Sequence, residues 1–198
     1  MKNKILYFLL VPGITALFAC SNTDRNNNNN NSADNVGTEK SAEEHNDAKF
    51  DNENENDAQF VVDAVKQNLD EIALCDLAMQ RANHSEIKEM ANMLNASHTK
   101  ANNELTRIAK EKSITIPMTT DLQGPAYKSL NDKNGNEFDK AYYDKIVEMH
   151  KEAVNRYEKA SQDAKDVDIR NFAASQLPTL RAHLDRAMDN QKLAEGWH

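Results

Sequence analysis

Three histidines and one glutamate carry the strongest chemical signal in this sequence. His98, His150 and His183 each fall on the apolar stripe of a different helical segment. His98 follows Leu94 by four, His150 follows Ile146 by four, and His183 follows Leu180 by three, which is the spacing of one helix face. A fourth segment carries no histidine on its stripe. It offers Glu71 instead, seven residues from both Ala64 and Ala78. Neutral imidazole and carboxylate are ligands for Fe, Zn, Mn or Cu. A cation would also offset the cost of burying Glu71 as an anion.

The four groups reach each other only if their helices bring them level. In an antiparallel hairpin, level residues lie equally far from the turn. The midpoint of 71 and 98 falls at His84-Ser85, and that of 150 and 183 at Asp166-Val167, each at the turn where one helical segment gives way to the next. Glu71, His98, His150 and His183 are therefore expected in one layer, as the ligands of a single transition metal. The alternative is a metal-free polar layer in which each histidine is a hydrogen-bonded core residue and Glu71 pairs with one or more of them. Cys75, one turn after Glu71, is either a soft extra ligand or a small packing residue, and packing is favoured. Asn68, Asn95, Gln176 and Thr179 lie near the four and either orient them or face water. Tyr143 and Tyr157 read as core aromatics. Met79, Met90, Met93 and Met149 read as gap fillers. His45 and His84 fall in polar segments, and Trp197 and His198 carry no clear signal.

The elements that position these residues are helices. The first pattern runs Phe60, Val61, Ala64, Val65, Leu69, Ile72, Ala73, Leu77, with Asp57 as its expected N-cap. A second begins at Asn83, with Glu86 three residues on as in a capping box, and ends near Lys112. A third starts between Asn136 and Asp139, and a fourth is capped by Asp166 or Asp168 and stops at Gly196. Pro178 lies inside the fourth, where a kink is expected. No segment reads as a strand. The second and third helices are joined by some two dozen residues, 113–135, containing a short helix over 126–131. Two antiparallel hairpins joined by one long crossover make an all-α, ferritin-like four-helix bundle over 58–198.

The remaining chain is organised differently. Residues 1–20 have a basic start at Lys2 and Lys4, then the apolar run from Ile5 to Leu17, then Leu17-Phe18-Ala19-Cys20. Such a segment is an export signal, and its end resembles a bacterial lipobox that makes Cys20 the lipidated first residue. A plain cleaved signal with a chance cysteine is the alternative. Ser21 after the cysteine implies, by the same resemblance, an outer-membrane lipoprotein of the cell envelope, with its domain in the periplasm or at the cell surface. Residues 21–57 hold six consecutive asparagines, Asn26 to Asn31, and ten acidic against three basic residues. They are expected to be a disordered linker. The net charge of -8 excludes a basic nucleic-acid footprint.

Several pieces together resemble a family. They are Glu71-Ile72-Ala73-Leu74, His98 closing a Met93-Leu94 run, Glu137-Phe138-Asp139-Lys140-Ala141-Tyr142, His150, and Leu177-Pro178-Thr179-Leu180 with His183-Leu184. The sequence resembles the bacterial domain of unknown function 4142, placed with the ferritin-like proteins. The resemblance covers most of 58–195. It implies an exported four-helix bundle of unsettled activity, with its polar core positions at Glu71, His98, His150 and His183. The chain departs from the di-iron pattern of the wider ferritin-like group. That pattern needs Glu-x-x-His on two helices, and the residues three before the histidines are Asn95, Val147 and Leu180. A mononuclear site in a lipid-anchored envelope protein is therefore the expected function. Four protein ligands would leave a tetrahedral ion no open position, which favours binding over catalysis. The rival expectation is a metal-free structural or protein-interaction module of the envelope.

Overall fold

Six helices and no strand make up the described residues of the computed structural model, which are 37–197 except 121 and 123. The expected signal segment, Cys20, the asparagine run and His198 lie outside them. Four helices are long: α2 (Asn52–Arg81), α3 (Ser85–Lys112), α5 (Gly135–Asp163) and α6 (Val167–Glu195). Two are short: α1 (Glu39–Asp47) and α4 (Pro125–Asn131). At 1.5 Å per residue the long helices extend about 42–45 Å. Among the described residues no helix is long and apolar enough to cross a membrane.

The long helices form where the apolar stripe was expected, but three of their starts differ, that of α5 by one residue, at Gly135. The first of them begins at Asn52, capped by Asp51, whose Oδ1 accepts the Asn54 amide at 3.2 Å. The second starts at Ser85, two residues past Asn83, and its N-cap His84 makes no side-chain capping bond. Asp166 caps α6 as expected, accepting the amides of Asp168 and Ile169 at 2.9 and 3.2 Å. Pro178 sits within α6, which continues through it.

Asp57 does a different job from the one its position suggested. It lies inside α2, 5% exposed, and its carboxylate accepts the amides of Lys165 and Asp166 at 3.1 and 2.6 Å. Those amides belong to the turn between α5 and α6. Asp139 of α5, fully buried, does the reciprocal service for the turn between α2 and α3. It accepts the amides of Asn83 and His84 at 3.1 and 2.9 Å, and His84 Nδ1 lies 2.7 Å from its Oδ2. Each carboxylate thus satisfies donors that a helix start would otherwise leave unpaired.

The expected linker also ends earlier than residue 57. α1 turns Ala42 and Asn46 inward. Asn46 makes a two-way bond with the crossover: its Nδ2 donates to Thr115 O at 2.9 Å and its Oδ1 accepts the Thr115 amide at 2.8 Å. The Met118 amide donates to Gly37 O at 2.8 Å. At the far end of the crossover Arg81 donates to Asn131 Oδ1, Lys133 O and Asn134 Oδ1 at 2.7–2.8 Å.

The apolar core falls into two clusters. One gathers Phe60, Val61, Leu105, Ile108, Tyr157, Ile169 and Phe172. The other gathers Leu74, Met90, Leu94, Phe138, Tyr142 and Ile146. The C-terminal end of α3 lies in the first and the N-terminal end of α5 in the second. Residues 113–134 therefore connect opposite ends of the helical stack. Between the clusters lies a polar layer.

Candidate metal centre

Each long helix contributes one residue to that layer. Glu71 comes from α2, His98 from α3, His150 from α5 and His183 from α6. Their exposures are 0%, 4%, 0% and 7%. The hairpin register that predicted them level brings Glu71 against His98 across one turn and His150 against His183 across the other.

The three rings face one another. Their centroids are 5.4 Å apart for His98–His150 and for His150–His183, and 5.8 Å for His98–His183. Each ring offers a nitrogen such that all three lie within 4.8 Å of one another. His150 Nε2 and His183 Nδ1 are 3.3 Å apart. His150 Nδ1 lies 3.1 Å from Ile146 O, so that nitrogen carries the proton and Nε2 keeps its lone pair. This tautomer is assigned from the partners.

Glu71 stands against two of the rings. Its Oε2 is 2.5 Å from His98 Nε2 and its Oε1 is 3.4 Å from His150 Nδ1. His98 Nδ1 is 2.9 Å from Asn68 Oδ1. Apart from this close contact, Glu71 Oε1 and Oε2, His98 Nε2 and Asn68 Nδ2 are all buried without a hydrogen bond of ordinary geometry. Unmet polar atoms of this kind are costly in a core, and donors of this set suit a divalent transition metal.

Electrostatics leave the layer ready for a cation. Burial pushes the Glu71 carboxyl upward, but the charge of His98, then that of His150, outweighs it and holds the group at about 2. Burial pushes His150 down, against the pull of Glu71. Burial, then the neighbouring His150 and His98, push His183 down to about 4. Near neutral pH, Glu71 is an anion while His150 and His183 are uncharged with lone pairs to donate.

Of the neighbours weighed from sequence, only Asn68 reaches the layer. Asn95 binds Asp76 at 2.8 Å, Gln176 binds Ser175, and Thr179 is exposed. Cys75 is buried in the second apolar cluster with its Sγ 3.5 Å from the Tyr142 hydroxyl, and burial pushes its thiol up to about 12. It packs and is not poised as a thiolate. Tyr143 and Tyr157 are core aromatics, as their spacing implied. Residues that sequence reasoning passed over are His84 and Trp197. Their rings stack at 3.7 Å and 13° beside Asp139. A turn histidine and a terminal tryptophan lie outside any periodic stripe. The only available sign was Asp139, a carboxylate beside the buried Phe138.

A family model described as "Domain of unknown function (DUF4142)" matches residues 40–189. The chain belongs to this family. The match begins inside α1, which agrees with that helix being part of the DUF4142 fold and not of a tether. The domain is also similar in structure to a crystal structure titled as a conserved hypothetical protein, rv2844, from Mycobacterium tuberculosis. The two share 12% identity over 81% of this chain and 96% of that one, with a TM-score of 0.54. That likeness concerns the fold alone. No curated protein matches the chain.

Proposed function

We propose that this DUF4142 protein is a lipid-anchored envelope protein whose ferritin-like four-helix bundle binds a single transition metal in its polar layer. The observation that carries the metal reading is the meeting of three imidazole nitrogens within 4.8 Å beside a buried carboxylate. The bundle topology is supported by the two antiparallel pairings and by a crossover joining opposite ends. The anchor rests on the sequence of residues 1–20. The role is metal binding, as a buffer or sensor or in redox chemistry, with Fe, Zn, Mn and Cu all compatible with the donors.

A second reading is favoured by one contact. The 3.3 Å approach of His150 Nε2 and His183 Nδ1 is itself hydrogen-bonding distance, so the two rings can satisfy each other without an ion. In that reading the domain is a metal-free structural or interaction module. The two are separated by the metal content of untagged protein, with His150→Ala alongside. Near-stoichiometric metal that the substitution abolishes supports the first. Metal absent from both, after attempted reloading, supports the second.

A further inference from the structure

We infer that the ion in this layer is held by the three histidines alone, that Glu71 is its counter-charge and not a ligand, and that the fourth position takes a small exchangeable monoanion. This rests on the metal-binding reading above. It departs from the four-ligand closed site that the sequence pattern implied.

The distances argue for it. Two nitrogens bound at about 2.0–2.1 Å to one tetrahedral ion stand about 3.3–3.4 Å apart, and His150 Nε2 and His183 Nδ1 are 3.3 Å apart. Those two atoms already hold the separation of co-ligands. Glu71 does not. Its Oε2 lies 2.5 Å from His98 Nε2, closer than two donors on one ion keep. Its Oε1 faces His150 Nδ1, the nitrogen on the other side of the ring from Nε2. An imidazole binds one ion through one nitrogen, and its second nitrogen ordinarily donates to a carboxylate or carbonyl that fixes the ring. Ile146 O and Glu71 occupy that second position at His150. Glu71 also stands outside the group of mutually close donor atoms that the three rings form.

Charge then specifies the fourth ligand. A divalent ion with uncharged imidazoles brings two positive charges into a core where every contributing side chain is at most 7% exposed. Glu71 cancels one. A monoanion on the ion cancels the other, and net neutrality is what a low-dielectric interior favours. The ligand must be small, because apolar clusters close the layer from both ends. The larger cavity described, about 500 Å³, is lined by Asp70, Ala73 and Leu74 of α2 but by none of the four residues.

The test is to load the full-length protein with Co(II) and titrate it with azide, following the visible ligand-field absorption. Wild type should bind about one Co(II), and azide should change the spectrum saturably. Glu71→Gln, which keeps the shape and removes the charge, should retain near-stoichiometric Co(II) at weakened affinity and still respond to azide. His183→Ala should lose the metal. A spectrum that ignores azide, or a folded Glu71→Gln protein that loses Co(II) as completely as His183→Ala, overturns this inference and leaves metal binding standing. No Co(II) on wild type overturns both. Helical circular dichroism confirms that each variant is folded, and Glu71→Asp, which restores the charge at shorter reach, should recover affinity relative to Glu71→Gln.

Discussion

Acid should loosen this protein by titrating its polar layer, and His183 gives the size of the effect. In the folded chain its pKa is displaced from the usual 6.5 to about 4, first by burial and then by His150 and His98. Between those values the unfolded chain binds a proton that the folded chain refuses. Stability therefore is complete above about pH 6.5 and is lost as pH falls to about 4. The displacement corresponds to about 3 kcal/mol. His150 is shifted in the same direction and adds to the loss. Glu71, held at about 2, contributes stability that is present above the ordinary carboxyl range and disappears below it, so its window opens only where that of His183 closes. The assay is urea unfolding followed by helical circular dichroism, in chelator, at intervals from pH 7 to 4. At an m-value of about 2 kcal/mol/M the His183 share moves the midpoint by roughly 1–2 M. The comparison that isolates it is His183→Gln, whose midpoint should fall less over the same interval. If wild type and variant lose the same stability between pH 7 and 4, the burial argument for His183 is wrong.

Other expectations concern the same architecture. Chelator should lower the melting temperature of metal-loaded protein by several degrees, because an ion that binds only the folded state must stabilise it; differential scanning calorimetry reads this. Asp139→Ala should cost about 3 kcal/mol and Asp57→Ala somewhat less, since the first strands three donors and the second two; urea unfolding at pH 7 ranks them. In a chain carrying Cys20→Ser, Cys75 should resist a thiol reagent until the protein is unfolded, given its burial and its raised pKa.

The long helices and the polar layer were legible because both rest on periodicity. A stripe of apolar residues fixes the buried face, and two short turns fix which inward positions are level. What escaped notice rests on polar contacts instead. α1 turns only Ala42 and Asn46 inward, so it has no stripe to read, and it docks through polar contacts such as the amide pairing of Asn46 with Thr115 and the bond from Gln59 to Glu43. Asp57 looked like a cap for its own helix and caps a turn 108 residues away. Glu71 was rightly placed inside, but periodicity reports a face and not a distance. Only the 2.5 Å contact with His98 shows which neighbour the carboxylate serves.

The two crossed aspartates mark a spacing that the two hairpins have in common. Asp57 and Asp139 are 82 residues apart, and so are the turn residues His84 and Asp166 that they contact. The same interval relates the helix-ending Ala82 to Ala164 and the buried Ile87 and Ala91 to Ile169 and Ala173. The two hairpins thus share one spacing of turns, crossed carboxylates and buried positions. Glu71 corresponds to Ala153, His98 to Leu180, His150 to Asn68 and His183 to Ala101. No residue of the polar layer meets its like. A repeat that kept its polar positions in register would offer matched donors from each half, as a paired-metal centre requires. Here the spacing recurs and the chemistry does not, so the one layer of polar side chains belongs to neither hairpin and comes into being only when both have docked.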